Sequence, residues 1–90
     1  MEKHPTKLEG YETLHDVAVA LENLRYDSLA EILLGLRNQL ALRAHADKAA
    51  GRPQLASHLD KTGGILLKAV GELIEAWDIC EPRMTPKLPQ

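Results

Sequence analysis

The sequence predicts an all-α protein: a short N-terminal helix followed by a long antiparallel helical hairpin, paired into a four-helix bundle by homodimerisation. Three observations predict it. The first is composition. Of 90 residues, sixteen are Leu and eleven Ala, against no Phe, one Trp and two Tyr. Leu and Ala favour helices, and the β-branched and aromatic residues that favour strands are scarce. The second is phase. Leu59, Leu66, Leu73 and Cys80 are seven apart, and Ala56, Gly63, Val70 and Trp77 repeat the same step. Both rows run through Gly63-Gly64, and only an unbroken helix keeps them in register. The third is excess. Ile32, Leu34, Ala41 and Leu42, with Ile65, Leu67 and Ile74, lie outside the stripe one hairpin seam needs. A second copy of the chain is the simplest cover for them.

Each element has its own signals. Residues 1–10 are charged, contain Pro5 and carry one leucine, which describes a flexible lead-in. Residues 11–81 form the single helical domain. Its first helix is expected from Tyr11 to Arg25, with Thr13 and Asp16 as a capping box and Leu14, Val17, Leu21 and Leu24 at helical spacing. Ser28 and Glu31 form a second capping box, opening a helix through Leu29, Leu33, Leu36, Leu40 and Ala44 to about Ala50. Gly51 suits the left-handed position after a helix, and Pro53 suits the first turn of the next. The third helix is expected from Pro53 to Cys80, and the prolines at 82, 86 and 89 give residues 82–90 the character of a non-helical, flexible tail.

So short a connection folds the two long helices back on each other. With Arg52 as pivot, Leu40 meets Gly64 and Leu36 meets Lys68. Leu40, Gly63 and Gly64 are then a place of close helix approach. Two interior glycines cost about 1 kcal/mol each relative to Ala, and a tight contact offsets that.

Charge and cysteine content narrow the function. A formal charge of −2 gives the whole chain no pull toward nucleic acid or anionic membranes. One cysteine makes no internal disulfide, which suits a reducing compartment, and the lead-in lacks a signal-peptide core. No apolar run approaches the roughly 18 residues that span a bilayer. The expected setting is cytoplasmic, away from membranes.

The chain has few candidates for chemistry. Glu12-x-x-His15 has the spacing of a di-iron ligand pair, but such sites need two pairs and further inward glutamates. Ser57 and His58 are adjacent, so their side chains splay apart on a helix, and a Ser57–His58–Asp47 set lacks an oxyanion donor. Cys80 sits on a seam row beside Asp78 and Glu81, surroundings that do not favour a thiolate. No catalytic residue, metal site or cofactor is expected, and the protein reads as no enzyme.

The expected function is a small protein–protein interaction or regulatory module acting as a homodimer, with a protein partner. Glu72, Glu75, Asp78 and Glu81 form a candidate acidic docking patch. The alternatives are a nucleic-acid-related regulator and a metal-using helical-bundle enzyme. The regulator would bind through Arg37, Arg43, Lys48, Arg52 and Lys61, or mimic phosphate with the helix-3 acids.

Overall fold

A computed structural model describes the backbone of residues 4–84 and the side chains of residues 4–82. Its order is α1 (Leu14–Glu22), α2 (Tyr26–Ala49) and α3 (Pro53–Met84), with no strand among the described residues. The fold is all-helical, and α2 and α3 pack closely as an antiparallel hairpin.

Thr13 caps α1. Its hydroxyl accepts from the Asp16 amide at 3.1 Å, and the Asp16 carboxylate accepts from the Thr13 amide at 3.3 Å. The reciprocal box therefore works with Asp in the usual place of Glu. α1 is shorter than its apolar spacing suggests. It ends at Asn23, whose side-chain amide donates to the Val19 carbonyl at 2.9 Å.

α2 begins two residues before Ser28, so the Ser28–Glu31 capping box does not form. Ser28 already lies in the first turn, and its amide donates to the Asp27 carboxylate at 2.9 Å. Arg25 occupies the N-cap position without a capping side chain. Its guanidinium is engaged elsewhere, in two hydrogen bonds to Asp27 at 3.1 and 2.6 Å and a stack over the Trp77 ring at 4.7 Å. The three side chains fasten the start of α2 to the far end of α3.

At the other end, Gly51 takes φ +83°, the left-handed conformation in which a side chain is strained. The Gly51 amide donates to the Lys48 carbonyl at 3.1 Å and the Arg52 amide to the Asp47 carbonyl at 2.8 Å. This is a Schellman closure. The Arg52 carbonyl then accepts from Ala56 at 3.0 Å, with Pro53 as the first residue of α3. The turn signals Gly51 and Pro53 thus do what their backbone preferences dictate.

α3 is continuous through Gly63-Gly64. It also continues through Pro82 to Met84, so the expected stop at Cys80 is overrun. Proline removes one amide donor, which in a last turn strands a single carbonyl rather than breaking a ladder. The rest of the expected tail lies outside the described residues.

Small residues line the seam. Ala30 and Ala44 on α2 and Ala56 and Gly63 on α3 are buried, together with Asp47 and Trp77. The rows of seven read in α3 divide accordingly. The Ala56, Gly63, Val70, Trp77 row faces α2 directly, while Leu59, Leu66, Leu73 and Cys80 are half-buried beside it. Leu36, expected at the seam, is exposed instead, and Arg37 takes its place. A Cβ at Gly63 would meet the Arg37 side chain at 3.6 Å and its carbonyl oxygen at 3.9 Å.

Candidate interaction surfaces

A helix turns about 100° per residue, so positions along α2 and α3 divide into the seam, two flanks and an outward face. The residues bordering surface hollows fix which flanks share a side. On one side Arg43 and Asp47 of α2 meet Leu55 and Leu59 of α3, with His4 beside them. On the other, Ala30 and Leu34 meet Val70 and Ile74, and farther along Ala41 meets Asp60 and Gly64.

The first is the α1 side. His4 places the N-terminal segment there. Leu29, Leu33, Ala69, Leu73, Ala76 and Cys80 are half-buried at its open end, matching the half-buried Val17, Ala20 and Leu21 of α1. Toward the turn the cover thins, and Leu36 and Leu55 are both exposed. None of α1 is fully buried.

The second, far side has no such cover among the described residues. Leu34, Leu67 and Ile74 are exposed there at 38%, 45% and 40%. Gly64 and Gly71 share this flank by helical phase, and nothing lies within 4 Å of a Cβ built on either. Polar groups mark the two ends. Asp27 and Glu31 border the hollow of Leu34 and Ile74, whereas Lys48 and Lys61 border another with Asp60 near the turn.

The residues expected to form one interface therefore occupy different directions. Leu34, Ala41, Leu67 and Ile74 come together on the far side. Ile32, Leu42 and Ile65 each lie two residues from a buried seam residue, about 160° around the helix, and point outward, 42%, 66% and 68% exposed. Of the expected close-approach residues, Gly63 meets Arg37, Gly64 opens to solvent and Leu40 is half-buried. Glu72, Glu75, Asp78 and Glu81 are all exposed. A step of three turns each about 60° back from the last, so they wind around the helix rather than make one patch.

The basic residues also divide. Arg43 and Arg52 border the hollow on the α1 side, Lys48 and Lys61 one on the far side, and Arg37 is half-buried in the seam. Asp47 and Ser57 open onto opposite sides, so no Ser57–His58–Asp47 site is assembled. Glu12 and His15 are both exposed. Among the described residues, no three His, Cys, Asp or Glu side chains gather as metal ligands would. No helix among them is long and apolar enough to cross a membrane.

Asp47 is the one charged residue among the buried, described side chains. Its Oδ1 accepts from Arg52 Nε at 3.0 Å and Nη2 at 2.9 Å, while the buried Oδ2 has no protein partner. At the opposite end, hydrogen bonding from Arg25 holds the Asp27 carboxyl below its ordinary range, and the same pairing pushes Arg25 up.

Sequence reasoning places both rows of seven, with Ala56 among them, and Ala44 of α2 on the packing face, and misses Ala30. The smallest residues, Ala30, Ala44 and Ala56, mark the line of closest approach. No family model, curated protein or solved structure matches this chain.

Proposed function

We propose that the protein is a non-enzymatic helical interaction module that works as a homodimer and presents a docking surface to a protein partner. The carrying observation is an interior too thin for the apolar side chains around it. Among the described residues, the buried apolar side chains are Ala30, Ala44, Ala56 and Trp77 alone. The chain exposes 7523 Å² at 10.0 kDa, where a folded monomer of that mass exposes about 5,200 Å². Its radius of gyration is 16.9 Å, against about 12 Å for a compact chain of this length.

Apolar surface left in water forfeits about 25 cal/mol per Å², and a partner recovers it. A standard interface buries about 800 Å² per copy. Among the described residues, no assembled set of nucleophile, base and orienting group competes with this reading. Light scattering at micromolar concentration tests it. Twice the 10.0 kDa chain mass is the expected result, and a single-chain mass at every concentration overturns it.

A further inference from the structure

We draw no further inference here: the strongest candidate, the apolar far side of the α2–α3 hairpin around Leu34, Leu67 and Ile74, carries nothing because nothing in the structure shows what covers it.

Discussion

Arg52 closes on Asp47 twice. Its amide donates to the Asp47 carbonyl at 2.8 Å, and its guanidinium donates two hydrogen bonds to a single oxygen of the same residue's carboxylate. The pair latches the turn between α2 and α3 across five residues. Its members are unequal: the Asp47 side chain is 10% exposed and that of Arg52 57%.

That inequality orders two substitutions. Arg52→Ala leaves a buried carboxylate unpaired. Complete loss of a buried partner costs 3–5 kcal/mol, and the exposure of Arg52 reduces the expected loss to about 1–2 kcal/mol. Asp47→Leu removes the charge with its partner left in water, and is expected to cost less or to stabilise. Urea unfolding of both variants checks the order. A greater loss for Asp47→Leu would show that the latch, rather than the avoidance of an orphan charge, matters.

The glycines of α3 should respond differently to added bulk. Gly63→Ala meets Arg37 at ordinary contact distance, so its helix gain of about 1 kcal/mol is largely kept. Gly63→Leu forces the seam apart and is expected to cost about 1–3 kcal/mol. Gly51→Ala, at φ +83°, should lose about 1 kcal/mol despite open surroundings. Thermal unfolding distinguishes the three, with Gly63→Ala highest.

Trp77 anchors the opposite end. Trp77→Ala is expected to cost 3–5 kcal/mol by leaving a cavity between α2 and α3. Arg25→Ala should remove the stack on the ring at a small cost in stability, because the guanidinium is exposed. Trp77 is the chain's only tryptophan, so its emission reports this end directly. A shift in emission in Arg25→Ala with helix content unchanged is the expected signature.

The same cluster makes a pH prediction. The folded-state pKa of Asp27 is lowered, chiefly by its hydrogen bonds from Arg25. Its contribution is therefore fully present above the ordinary carboxylate range near 4 and is lost as pH falls through the lower folded value. Asp27→Asn should flatten that part of the acid limb, measured as unfolding midpoint against pH. An unchanged acid limb would assign the loss to other carboxylates.

Much of the architecture is legible in the sequence because it rests on local rules. The step of seven across Gly63-Gly64 reads as an unbroken helix, and Gly51 and Pro53 read as a turn, since backbone preference alone fixes both. The Ser28–Glu31 box does not form because α2 already starts at Tyr26, where Arg25 pairs with Asp27 and stacks on Trp77. That contact spans fifty-two residues of sequence, and no local pattern shows it. The surface was less legible still. Leu34 and Ile32 look equivalent in a string of letters, yet two residues of helical rotation put one beside the seam and the other on the outward face of α2.

The alanine-and-glycine line between the two rods makes spacing the vulnerable quantity. Where large side chains interlock, a badly fitting neighbour can rotate away. Here Ala30, Ala44, Ala56 and Gly63 have no such freedom. A bulky replacement at any one of them acts as a wedge, levering the rods apart and passing the strain lengthwise to the Asp47–Arg52 latch and the Arg25–Trp77 stack together.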